Sequence, residues 1–144
     1  MASILVVDDY IVTQRVLSTQ LRKGGHDVAT ATSAAEALLY LKDTHCDLAI
    51  VDVAMPDMDG ITLLKILRKD GQHETLPIII LTASVLDDDR LRAKAAGATD
   101  FLTKPISSWE LLEIVDRQLN VEQQPFPAQS RHTAMLQDLM QKSV

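Results

Sequence analysis

The chain has 144 residues, enough for one ordinary domain with a core of its own, and its single cysteine, Cys46, excludes an internal disulfide or a cysteine-based metal site. A net charge of −6 with scattered Lys and Arg, and only 3% aromatic residues, argue against nucleic-acid binding, which draws on clustered cations and stacking rings. The N-terminus has no basic-then-apolar leader and acids interrupt every apolar run short of a membrane span, so the expectation is a soluble, cytoplasmic protein.

In chain order, "SILVVDD" (3–9) opens as a short, continuous, β-branched run, the pattern of a strand covered on both faces. "YIVTQRVLSTQLRKGG" follows with Val12, Val16, Leu17 and Leu21 at helical spacing and a glycine stop. "HDVATAT" (26–32) is a weaker strand suited to a sheet edge. "SAAEALLYLKD" is a helix opened by Ser33 and Glu36 at capping-box spacing. "DLAIVD" (47–52) is a second buried strand, with Cys46 as a small hydrophobe at its start. "MPDMDG" is turn chemistry, so Asp57 and Asp59 receive no metal role, and "DGITLLKILRKDG" is the next helix.

"LPIIILTA" (76–83) is a third buried strand, and "SVLDDDRLRAKAAG" a helix whose acids Asp87, Asp88 and Asp89 suit the positive end of the helix dipole. "ATDFLT" (98–103) is another edge-type strand, and "SSWELLEIVDRQL" a helix capped by Ser107 and Glu110, with Trp109 expected to pack in its first turn. His26, His45, His73 and His132 show no ligand spacing and are expected at the surface. Residues 1–120 form the domain. In the 121–144 segment, "VEQQPFPAQ" reads as a linker and Met135, Leu136, Leu139 and Met140 make a short apolar stripe. That stripe suits an extra helix on the domain, half of a homodimer contact, or the start of a longer protein.

The alternation βαβαβαβαβα predicts an α/β fold, a doubly wound five-stranded parallel sheet with helices on both faces. The favoured strand order is the flavodoxin-like 2-1-3-4-5, with a crevice at the carboxyl ends of strands 1 and 3. Asp8 and Asp9 end strand 1 and Asp52 ends strand 3, while strand 4 brings Thr82 and strand 5 brings Lys104 to the same rim. Two adjacent carboxylates at the edge of an apolar core need a cation, and Lys104 and a bound metal are both candidates.

"VVDD" at 6–9, "VDVAMPDMDG" at 51–60, "LTA" at 81–83 and "TKP" at 103–105 together resemble the receiver domain of two-component response regulators over about residues 3 to 119. That family's chemotaxis regulators are themselves a standing example of the 2-1-3-4-5 order. The resemblance implies that Asp52 accepts a phosphoryl group from a phosphohistidine on a sensor histidine kinase or a histidine phosphotransfer protein. It further implies Mg²⁺ bound by Asp9, Asp52 and the backbone carbonyl of Ala54, with Asp8 acting through water or orienting the ligands. Lys104 and Thr82 would meet the phosphoryl oxygens, and Pro105 would follow a cis bond. Thr82 and Phe101 would switch the surface of helix 4, strand 5 and helix 5. Such a chain is a signalling phosphoacceptor that assists its own phosphorylation and dephosphorylation, and not an enzyme. Two other classes stand beside it. A haloacid-dehalogenase-like phosphatase would need a second aspartate where Ala54 stands, and a phosphate-independent adaptor would not need all five site residues.

Overall fold

The computed structural model describes residues 2–83 and 87–120. Its elements alternate strictly: β1 (Ser3–Val7), α1 (Ile11–Lys23), β2 (Asp27–Ala31), α2 (Ala34–Asp43), β3 (Leu48–Asp52), α3 (Gly60–Lys69), β4 (Ile78–Thr82), α4 (Asp87–Ala96), β5 (Asp100–Thr103) and α5 (Ser108–Leu119). The strands form one parallel sheet in the order β2-β1-β3-β4-β5, as the alternation of patterns predicts. The apolar stripe expected at 135–140, the linker before it and His132 lie outside the described residues.

Why the central strands read as unbroken apolar runs is visible in the two cores. Leu5, Val7, Ala49, Val51, Ile78 and Ile80 point to one face, where they meet Leu41 of α2, Leu63, Leu64 and Leu67 of α3, and Ala93 of α4. Ile4, Val6, Leu48, Ile50, Ile79 and Leu81 point to the other and pack on Leu17 and Leu21 of α1 and Leu111, Ile114 and Val115 of α5. A strand covered on both sides needs apolar residues at every position. At about 25 cal/mol per Å² of apolar surface removed from water, these two layers supply the main drive to fold.

Helix starts follow the capping reading. The Ser33 side chain accepts from the Glu36 N–H at 3.1 Å, and Ser107 from the Glu110 N–H at 3.1 Å. Glu36 does not close the box on Ser33 itself; its carboxylate reaches one residue further back, to the Thr32 N–H at 3.2 Å.

Three expectations need correction. Val12 and Val16 are 55% and 47% exposed, because the buried stripe of α1 is Gln14, Leu17, Ser18 and Leu21, two of which are polar. Trp109 is 72% exposed: the buried face of α5 is set by Leu111, Ile114 and Val115, and Trp109 lies off that stripe. His73 is buried, with Nδ1 3.0 Å from an Asp70 carboxylate oxygen, in a turn held by its own backbone bonds. His45, in contrast, is on the surface and pairs with Asp47 at 2.7 Å.

Candidate phosphoryl and cation site

The site forms where the parallel strands end together. Asp52 is the last residue of β3, in register with Leu81; Thr82 is the last of β4, in register with Thr103 of β5. The backbone N–H of Lys104 donates to the Thr82 carbonyl at 2.8 Å, so the turn after β5 is fixed against β4 before the lysine side chain is considered. The Lys104–Pro105 peptide is cis. Asp8 and Asp9 follow β1, the other neighbour of β3.

One oxygen each from Asp8, Asp9 and Asp52 lies within 4.8 Å of the others, the one such group of His, Cys, Asp or Glu among the described residues. The three are not equivalent. Asp8 is fully buried, and both of its oxygens are engaged: Oδ1 accepts from the Tyr10 N–H at 2.9 Å and Oδ2 lies 3.3 Å from Lys104 Nζ. Asp52 is 4% exposed and meets the same ammonium at 3.1 Å, while Asp9 is exposed. Burial raises the pKa of Asp52, and the charge of Asp8 raises it further, against the partial relief of Lys104. Burial by itself would lower Lys104, but its hydrogen bond and charge contact with Asp52, together with Asp8, outweigh that and hold it above its ordinary value.

Three clustered carboxylates, two of them paired with a single ammonium, leave a net negative pocket of hard oxygen donors. That donor set suits Mg²⁺, which takes one or two carboxylates and keeps several waters. Oxygens on one octahedral ion of that size are about 3–4 Å apart. With both oxygens of Asp8 occupied, Asp9 and Asp52 are the better placed for direct contact.

The loop that follows β3 is shaped to keep Asp52 in place. Asp57 has φ 69°, a left-handed turn that aspartate tolerates, and the Asp59 side chain caps α3 by accepting from the Thr62 N–H at 2.8 Å. That bond lowers the pKa of Asp59. Asp57 therefore does the turn work expected of this segment, and Asp59 adds a helix cap that the turn chemistry alone did not predict. Gly60 packs so closely that a Cβ there would sit 2.3 Å from the Asp52 carbonyl oxygen. Ala54 lies on the exposed part of this loop, two residues past Asp52.

Phe101, on β5, is half-buried against the core, with the Arg90 guanidinium of α4 4.6 Å from its ring centroid. Sequence reading missed Arg90, as it missed Gln14; neither is unusual in a helical pattern. At the opposite end of the sheet a groove of about 1150 Å³, bordered by Ala2, Cys46, Asp47, Pro77 and Thr99, brings no such cluster of acids together.

Known proteins match this chain along nearly its whole described length. The family model for the response regulator receiver domain matches residues 4–116. Protein PilH of Pseudomonas aeruginosa is 32% identical over 116 residues, covering 81% of this chain and 96% of PilH. Transcriptional regulatory protein PhoP of Escherichia coli is 38% identical over 109 residues, 76% of this chain; the chain spans about half of PhoP's length, 48%. Chemotaxis response regulator CheY4 of Vibrio cholerae superposes with a TM-score of 0.78 at 36% identity, covering 82% of this chain and 98% of that one.

Proposed function

The chain belongs to the response regulator receiver domain family of two-component signalling, and on that premise we propose that Asp52 is the phosphoacceptor of a Mg²⁺-dependent phosphoryl switch. The observation that carries this reading is the pairing of Asp52 with Lys104 at 3.1 Å inside a three-aspartate pocket at the strand ends. The donor is a phosphohistidine on a sensor histidine kinase or histidine phosphotransfer protein. The ionised Asp52 carboxylate attacks phosphorus, an O–P bond forms as the N–P bond breaks, and the imidazole leaves on the partner.

Asp9, Asp52 and the Ala54 carbonyl would hold the cation, with Asp8 orienting the cluster through its bonds to Tyr10 and Lys104. When bound, Mg²⁺ supplies charge to offset the phosphoryl oxygens as they meet three carboxylates. Lys104 contributes a compact second positive charge, and the Thr82 hydroxyl, at the adjacent strand end, turns to a phosphoryl oxygen. Ala83 leaves room beside it. As Thr82 moves, the Phe101 ring fills the vacated space and the surface of α4, β5 and α5 changes, a local charge event biasing a two-state element. Leu91 and Trp109, 62% and 72% exposed, lie on that surface and give it something to present.

In this role the chain is a signalling acceptor that assists its own phosphorylation and dephosphorylation and works in the cytoplasm. No described helix is long and apolar enough to cross a membrane. The test is incubation with Mg²⁺ and acetyl phosphate, followed by intact mass. Uptake of a single phosphoryl group that EDTA prevents supports the reading. Release of many equivalents of phosphate would favour the phosphatase class, and no uptake the adaptor.

A further inference from the structure

Gln14 occupies a place in α1 where a leucine would continue the apolar stripe formed with Leu17 and Leu21, yet it is 6% exposed. Burying an amide is unfavourable unless its hydrogens find acceptors. Both do. Nε2 donates to the Asp8 carbonyl at 3.1 Å and to the Ala31 carbonyl at 3.1 Å, at the carboxyl ends of β1 and β2. The Ala31 carbonyl also accepts from the Asp8 N–H at 3.0 Å, so one amide closes a small network around Asp8.

The Asp8 carbonyl belongs to the peptide unit that joins Asp8 to Asp9. Fixing it fixes the plane from which the two acids diverge: Asp8 inward to Tyr10 N–H and Lys104, Asp9 outward to the rim. We propose that Gln14 is a positioning residue for the cation site, an α1 amide that sets the divergence of Asp8 and Asp9 and thereby the affinity of the pocket for Mg²⁺. The cation half of this inference rests on the receiver reading; the positional half stands on the hydrogen bonds of Gln14 and Asp8.

Gln14→Met keeps length and volume but donates nothing. Ser18→Ala is the control, removing the neighbouring buried bond from Ser18 Oγ to the Gln14 carbonyl, 2.7 Å, without touching the acid turn. Two measurements separate a positioning role from simple support of the helix. In metal-free protein, hydrogen exchange at the Tyr10 amide, which bonds Asp8 Oδ1, should speed up about 10-fold in Q14M and stay near the parent rate in S18A. In a calorimetric Mg²⁺ titration Q14M should bind about 10-fold more weakly, the scale of losing a group that orients a metal ligand, and S18A within about two-fold of the parent. Gln14→Asn, which keeps the amide but shortens its reach by one methylene, should shift both readings the same way, and it serves if Q14M does not fold. Unchanged Tyr10 exchange in the Gln14 variants, equal shifts in S18A, or Mg²⁺ affinity within about two-fold of the parent would each overturn the proposal. If the parent itself takes up no Mg²⁺, the proposed Mg²⁺-dependent switch falls and the exchange result alone decides the role of Gln14.

Discussion

The Lys104 ammonium sits 3.1 Å from Asp52 Oδ1, and the same ammonium reaches Asp8 at 3.3 Å, so one cation holds together carboxylates from two strands. Lys104→Met removes it and leaves two buried acids facing each other. The expected loss of stability at neutral pH is about 2 kcal/mol, below the 3–5 kcal/mol of a fully buried broken pair because the lysine side chain is 26% exposed. Since Lys104 is raised in the folded state, its contribution is complete below the ordinary lysine range and disappears as pH climbs through the folded value. Thermal melts should also show that millimolar Mg²⁺ restores part of the loss in the variant. A variant as stable as the parent without Mg²⁺ would mean the acids do not strain the fold.

Asp52→Asn should stabilise the metal-free protein. Burial, then the charge of Asp8, raises the Asp52 pKa, so its ionisation weakens the fold. The sign follows from linkage: the folded chain holds this proton more tightly than the unfolded chain. Stability is therefore full below the unfolded carboxyl pKa, about 3.9, and declines as pH rises through the raised folded value. The melting temperature of D52N should exceed that of the parent at pH 7, and the gap should close on acidification. A gap that widens towards low pH would contradict the assigned cause.

Gly60→Ala puts a Cβ against the Asp52 carbonyl at 2.3 Å, where no rotamer change relieves it. The end of β3 and the start of α3 must separate, at a cost of roughly 2–3 kcal/mol. Asp52 moves with its backbone, so phosphoryl uptake should slow along with the fall in chemical-denaturation midpoint.

Asp59→Ala separates capping from ligation. Losing the bond to the Thr62 N–H should cost about 1 kcal/mol and leave Mg²⁺ affinity unchanged. Because the Thr62 N–H depresses the Asp59 pKa, that contribution is present above the ordinary carboxyl range and fades as pH falls through the folded value. A clear drop in Mg²⁺ affinity would make Asp59 a ligand and overturn its assignment as a cap.

Fold and site were unequally legible in the sequence. Strands such as Ile78–Thr82 announce themselves because coverage on both faces demands apolar residues throughout, and Asp8, Asp9 and Asp52 stand out because they close such runs, whereas Lys104 follows the less buried edge strand β5. The α1 face was misjudged because hydropathy favoured Val12 and Val16, whereas burial follows Gln14 and Ser18, whose polar atoms are satisfied inside. That satisfaction is a property of the assembled sheet ends and has no signal in composition. Trp109 shows the converse: a large ring is expected inside, but helix phase decides, and the phase of α5 turns it to water.

The measurement closest to the central claim is the identity of the modified residue. Protein treated with acetyl phosphate and Mg²⁺ is reduced with borohydride, which converts an acyl phosphate to an alcohol, and the peptides are mapped. A single reduced aspartate, Asp52, is expected, and none when Mg²⁺ is withheld. Reduction at Asp8 or Asp9 instead, or labelling indifferent to Mg²⁺, would contradict it.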